Sequence, residues 1–264
     1  MKINLISIVG DIREEVSVKR LTAMGFIVDL FPAFDFRVKL LSELDAVANL
    51  KEFSNKYSRL PKVAEIGCSL SHLKLIKSLR IGEKKDYEVV FEDDAFPMVQ
   101  SQEFETICDE LSNSPFDIIS LGYSKTDEKM ESYINMVNPF YPLLWSSNEA
   151  YAVGVRYSDG LPGAVGYIVK KNAVLKLTKL EKVEHLADDW SFFSSLGLRI
   201  GHVSPMLVKE DYSLLKSTLG HDHIVPPRCY ENNIAWLLRY MVGMLRRICL
   251  IIKCKFVYGT GLHS

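Results

Sequence analysis

A strand-like run from Tyr87 to Phe91 passes without a break into three consecutive carboxylates, Glu92, Asp93 and Asp94. Few folds accommodate that pattern. A buried strand that ends in acids must stop at the carboxyl edge of a sheet, where a cation, fixed donors or solvent can answer the charge. In extended backbone Asp93 points to the opposite face from Glu92 and Asp94. The segment therefore reads in two ways. Either it supplies oxygen ligands for a hard divalent cation that holds a diphosphate, or it is a solvated acidic turn at the end of a strand.

Around it the chain alternates strand and helix patterns, which predicts an α/β fold. Lys2 to Val9 reads as a strand followed by Gly10-Asp11, Arg13 to Met24 as a helix, and Phe26 to Phe31 as a strand stopped by Pro32. Val63 to Leu79 reads as an amphipathic helix, with Ile66, Leu70, Leu73, Ile76 and Leu79 at helical spacing and Ser71 and His72 on its polar side. Asp117 to Leu121 is a further strand, closed by Gly122. Lys125 to Ala150 lacks periodicity and is expected to be an irregular loop or lid. Gly163-Ala164-Val165-Gly166-Tyr167 leads through Ile168 and Val169 into a helix ending near Leu180, and Leu198 to Val203 is the last strand.

The formal charge of −1 argues against a nucleic-acid partner, yet it is unevenly spread. From Arg228 onward six basic residues face the single acid Glu231, giving a tail of +5 on a body of −6. We therefore divide the chain into a catalytic body, 1–225, and a basic apolar tail, 226–264. Ile234 to Ile252 is interrupted by Arg239, Arg246 and Arg247. Each such charge costs about 2.5–3.5 kcal/mol at a bilayer centre, which disfavours a spanning helix. Arg239, Arg246 and Lys253 fall on one helical side. The tail thus reads as a helix lying in an anionic membrane interface, or as one docked on the body or a partner subunit. Five scattered cysteines without a CxxC pair, and no signal-peptide pattern, predict reduced thiols in a cytoplasmic protein.

Four stretches together resemble glycosyltransferase family 25, the bacterial lipooligosaccharide glycosyltransferases related to collagen galactosyltransferases. They are the opening strand with Arg13 and Arg20, then Ala64-Glu65-Ile66-Gly67-Cys68-Ser69-Leu70-Ser71-His72, then Val90-Phe91-Glu92-Asp93-Asp94-Ala95, and Gly163 through Val169. The chain departs from the family in placing Gly10-Asp11-Ile12 where an Arg-rich stretch usually follows the first strand. The resemblance implies a GT-A-type nucleotide-binding mixed sheet flanked by helices. It also implies inverting transfer of a hexose, most often galactose from UDP-galactose, to a lipid-linked lipooligosaccharide at the cytoplasmic face of the inner membrane, with Mn²⁺ or Mg²⁺.

Carried onto this sequence, the resemblance makes Asp94 the direct metal ligand, with Glu92 reaching the metal, its water or the ribose. A downstream histidine would complete the shell; His202, His221 and His223 are available and His221 is preferred. Ser7, Val9, Arg13, Gly67, Ser71, His72, Asp93, Gly163 and Gly166 are the candidate donor contacts. Asp188 is preferred to Asp189 as the base, with Trp190 as a sugar platform. Each residue has a structural alternative: a helix N-terminus for Asp188 or Asp189, a turn cap for Asp93, turns for the glycines, helix packing for Ser71 and His72, a surface role for Arg13, and a hydrogen-bonded structural histidine. A metal-dependent phosphohydrolase and a catalytically silent sugar-nucleotide binder are the competing functions.

Overall fold

Strand β1 (Lys2–Ser7) sends Ile3 and Leu5 to one core and Ile6 to another, and the layers of the fold follow from that two-sided burial. The computed structural model describes residues 1–82, 85–124, 128–211 and 233–258. β1 pairs in parallel with β2 (Ile27–Pro32) on one side and with β3 (Tyr87–Glu92) on the other. Between β1 and β2 runs α1 (Ile12–Ala23), whose N-cap Asp11 accepts the Arg13 amide at 3.1 Å. Beyond β3 lie β8 (Gly166–Lys170), β5 (Ile118–Ser120), β9 (Ile200–Ser204), β7 (Ala152–Arg156) and β6 (Phe140–Trp145). The eight strands stand in the order β2-β1-β3-β8-β5-β9-β7-β6.

β8 is antiparallel to both β3 and β5, so its first residue, Gly166, pairs with Phe91 beside the acidic end of β3. A separate antiparallel pair, β4 (Ala95–Pro97) and β10 (Val208–Glu210), follows directly from that end. Helices cover both faces. α2 (Leu50–Tyr57), α3 (Val63–Ser78), α6 (Lys171–Leu177) and α7 (Trp190–Ser195) bury Ile6, Val90, Tyr167 and Val169. α1 and α4 (Ser101–Ser112) bury Ile3, Leu5, Phe91 and Ile168. The result is the α/β mixed sheet between helices expected of a GT-A-type protein.

Two expectations are corrected. α3 is not amphipathic: Ser69, Ser71 and His72 are as buried as its leucines, with the loop after β2 packed on Ser71 and the strands β3 and β8 receiving His72. The stretch from Lys125 to Ala150 is not an irregular lid, since it holds α5 (Glu128–Val137) and the edge strand β6. Of the two readings of the tail, the docked one describes α8 (Asn233–Tyr258), which packs on α5 and β6. It docks along a narrow stripe in which Gly243, Leu250 and Cys254 are buried. A Cβ on Gly243 would lie 2.1 Å from the Met136 carbonyl oxygen. Arg246 donates to the Val137 carbonyl at 2.6 Å and covers the Tyr157 ring, so the expected cationic edge is split. Among the described residues, no helix is long and apolar enough to cross a membrane.

Candidate functional site

Alternation in β3 turns Val90 and Glu92 toward α3, and α3 answers with Cys68 and His72, four residues apart on one helical face. Glu92 Oε1 lies 3.0 Å from His72 Nε2 and 3.7 Å from Cys68 Sγ. The other ring nitrogen of His72 is 2.9 Å from the hydroxyl of Tyr167 on β8. With Glu92 ionised, Nε2–H donates to the carboxylate and the Tyr167 hydroxyl donates to Nδ1. Burial works against ionisation of Glu92, but the His72 and Cys68 hydrogen bonds and the Arg13 charge outweigh it and lower its pKa.

Asp93 turns the other way, toward β1 and α1. Ser7 Oγ donates to it at 2.8 Å and the Arg13 guanidinium lies 3.4 Å away, while Ser17 Oγ bonds its backbone carbonyl. Ser7 and Arg13 therefore hold the acidic corner in place from behind. Asp94 is the carboxylate left over: its Oδ1 is buried and has no hydrogen-bond partner among the described residues. Burial, then repulsion from Glu92, Glu210 and Asp93, raises its pKa well above the usual carboxylate range.

The two candidate bases separate. Asp189 is the N-cap of α7, accepting the Phe192 amide at 2.9 Å, with Lys56 at 2.7 Å and the Tyr57 hydroxyl on its other oxygen. Burial opposes its ionisation, but those bonds prevail and its pKa falls to about 2. Asp188, one residue earlier, accepts the Gly163 amide at 2.7 Å. Burial raises its pKa, and the nearby charge of Glu92 adds to the effect. Gly163 can make this bond because its φ is +119° and a Cβ there would meet the Ser124 amide at 2.2 Å. Trp190 is fully buried against Tyr167 and Phe193, so it is a core residue rather than a sugar platform.

Of the residues expected from sequence, Glu92, Asp94, His72 and Asp188 gather at the end of β3, and Ser7, Arg13 and Asp93 support them. Gly67 serves packing: a Cβ would lie 2.4 Å from the Phe34 carbonyl oxygen, and Ser71 one turn on accepts the Phe34 amide at 2.8 Å. Gly166 is likewise pressed between Phe91 and Val208. Val9 is exposed beyond β1. His202 is buried on β9, three strands from β3 or about 14 Å by strand spacing, where it faces Asp159 at 3.5 Å. His221 and His223 lie outside the described residues. Sequence reasoning missed Cys68, Tyr167 and Glu210. The i, i+4 spacing of Cys68 and His72 was a usable signal; Glu210 reaches the site only through the β4–β10 pairing.

The model of glycosyltransferase family 25 (LPS biosynthesis protein) matches residues 1–191. No curated protein matches the chain. Among solved structures it is similar to A197 from STIV, at 14% identity and a TM-score of 0.35, over 76% of this chain and 80% of that one. A likeness that remote carries no argument.

Proposed function

The chain belongs to glycosyltransferase family 25, and from that premise we propose that it moves a hexose, galactose by resemblance, from a UDP-sugar to a lipooligosaccharide acceptor with inversion. Membership by itself makes it a lipopolysaccharide-biosynthesis transferase with a sugar-nucleotide donor and an oligosaccharide acceptor, and speaks against a phosphohydrolase or a silent binder. The observation that carries the finer reading is Asp94 Oδ1, a buried carboxylate oxygen with no partner among the described residues, set among Glu92, Asp93 and Glu210.

An unanswered carboxylate oxygen amid other acids suits a hard divalent cation, Mn²⁺ or Mg²⁺, held by Asp94 with Glu92. Such a cation would offset the charge that builds on the departing nucleotide diphosphate. The protein's own part is positional. His72, fixed by Tyr167, keeps Glu92 ionised and aimed at the corner. Asp93, Ser7 and Arg13 brace the turn so that Asp94 cannot relax away from its neighbours. On this reading Asp188 takes the acceptor hydroxyl proton as the anomeric carbon is attacked, and its orientation by the Gly163 amide and its raised basicity support that role.

Purified protein supplied with UDP-galactose, Mn²⁺ and a lactose-type or lipid-linked acceptor is expected to form glycosylated product of inverted configuration. Undiminished transfer in excess chelator would remove the cation from the reaction, and transfer only from another sugar nucleotide would replace the donor.

We propose in addition a location, the cytoplasmic face of the inner membrane, peripherally bound, and the tail supports it. Leu237, Leu238, Met241, Leu245, Ile248, Ile252 and Phe256 are exposed on α8, about 180° around the helix from the docked Gly243, Leu250 and Cys254. Lys255 and Lys253 are exposed on the two flanks of that face. An apolar crest flanked by cations fits an anionic bilayer surface, each near-surface cation contributing about 1 kcal/mol.

A further inference from the structure

The contact between α3 and β3 gathers three different metal-binding groups. Cys68 Sγ, His72 Nε2 and a Glu92 carboxylate oxygen all lie within 4.8 Å of one another. In a tetrahedral zinc site with bonds of about 2.0–2.3 Å, neighbouring ligand atoms stand about 3.3–3.6 Å apart. The measured separations from Glu92, 3.0 Å to nitrogen and 3.7 Å to sulfur, bracket that range. A second, independent feature completes the arrangement: the far nitrogen of His72 is held by the buried Tyr167 hydroxyl at 2.9 Å. Ligating histidines are oriented in this way, through the ring nitrogen that does not touch the metal.

We propose that Cys68, His72 and Glu92 form a binding site for one thiophilic divalent cation of the zinc class, distinct from the oxygen-ligand corner at Asp94. Thiolate, imidazole and carboxylate together select a borderline-soft ion, whereas the carboxylates around Asp94 favour a hard one. The balance of the binding step is simple. The Sγ–metal bond forms as the Cys68 thiol gives its proton to solvent. The single proton of the His72 ring moves to Nδ1, from which it donates to the Tyr167 oxygen. Because a thiolate, not a thiol, ligates the metal, uptake releases the Cys68 proton. Glu92 belongs to both sites. On the transferase reading given above, a zinc-class ion therefore draws Glu92 away from Asp94 and inhibits sugar transfer.

The test uses full-length protein stripped with chelator and titrated with Co²⁺. A thiolate-to-cobalt charge-transfer band is expected to saturate at one equivalent and to vanish when Zn²⁺ displaces the cobalt. Cys68→Ser should abolish the band, while Cys249→Ser, an exposed thiol on α8, keeps it. Tyr167→Phe should weaken binding on the order of tenfold while the band remains. Absence of the band in the unmodified protein, or its survival in Cys68→Ser, overturns the proposal. A measurement without variants guards against misfolding: Zn²⁺ should slow alkylation of Cys68, mapped by mass spectrometry, by about tenfold or more, and an unchanged rate is equally fatal. Asp94→Asn separates the two readings, because it is expected to keep the cobalt band while losing transfer.

Discussion

Asp94 and Asp188 both lie close enough to Glu92 to feel its charge, and the proposed mechanism gives them opposite duties that single substitutions should tell apart. Asp94→Asn removes a like charge from a crowded corner, so thermal unfolding is expected at the same temperature or higher. Metal-dependent turnover should nonetheless fall on the order of a hundredfold or more, read as kcat with Mn²⁺ saturating. Asp188→Asn keeps an acceptor for the Gly163 amide and should lower kcat about 10²–10⁴-fold with little change in the donor KM. Asp189→Ala should do the reverse. Loss of the α7 cap costs about 1–2 kcal/mol of stability, seen in urea unfolding, while the protein that remains folded turns over normally. At this scale the acids were legible because a strand ending in three carboxylates has few explanations. The duty of His72 was not, because helical spacing marks it as polar and only the pairing of β3 with β8 brings Glu92 and Tyr167 to it.

The segment that leads into α7 carries a built-in acid sensitivity. His185 is buried and stacked on Phe192 with ring centroids 4.4 Å apart, and burial followed by the Lys56 charge pushes its pKa down to about 3. In the unfolded chain the same group titrates near its ordinary value of about 6.5. The unfolded state therefore binds a proton that the folded state refuses. His185 costs nothing above that pH, and stability declines steadily as pH falls from 6.5 toward 3. Asp189, depressed to about 2, withdraws its own contribution only below 3.8. His185→Phe should flatten the upper part of the slope in denaturant unfolding measured from pH 7 to pH 4; an unchanged slope would assign the loss elsewhere. Several elements declared themselves in sequence, among them β1, β2 and β3, which are short apolar runs closed by Gly10, Pro32 and the acids, and α1, where apolar residues recur among charges. β6 did not, because Pro142 interrupts Phe-Tyr-Pro-Leu-Leu-Trp. The fold tolerates that proline at the outermost strand, where the pairing with β7 also shifts register. α4 was readable from Phe104, Ile107, Cys108 and Leu111 and simply lacked a motif to draw attention to it.

For the molecule as a whole, the tail was visible in sequence as basic and apolar, but its docking was not: no pattern announces that Gly243 meets the Met136 carbonyl. Two tests follow. The protein should float with vesicles containing phosphatidylglycerol and not with neutral ones, and Leu245→Glu with Ile248→Glu should abolish flotation without altering transfer to a soluble acceptor. Gly243→Leu should pry α8 from α5, seen as faster amide exchange in both helices, because no side chain fits in that gap.

The reversed course of β8 has one more effect, on how the chain finds its pairing. Tyr167 stands opposite Val90, and sliding β8 by a single residue would swing its hydroxyl through the sheet and strand the His72 imidazole in an oily layer. That polar handshake works as an alignment pin: a one-residue mis-zipping breaks it, while the correct arrangement gives both ring nitrogens of His72 a partner.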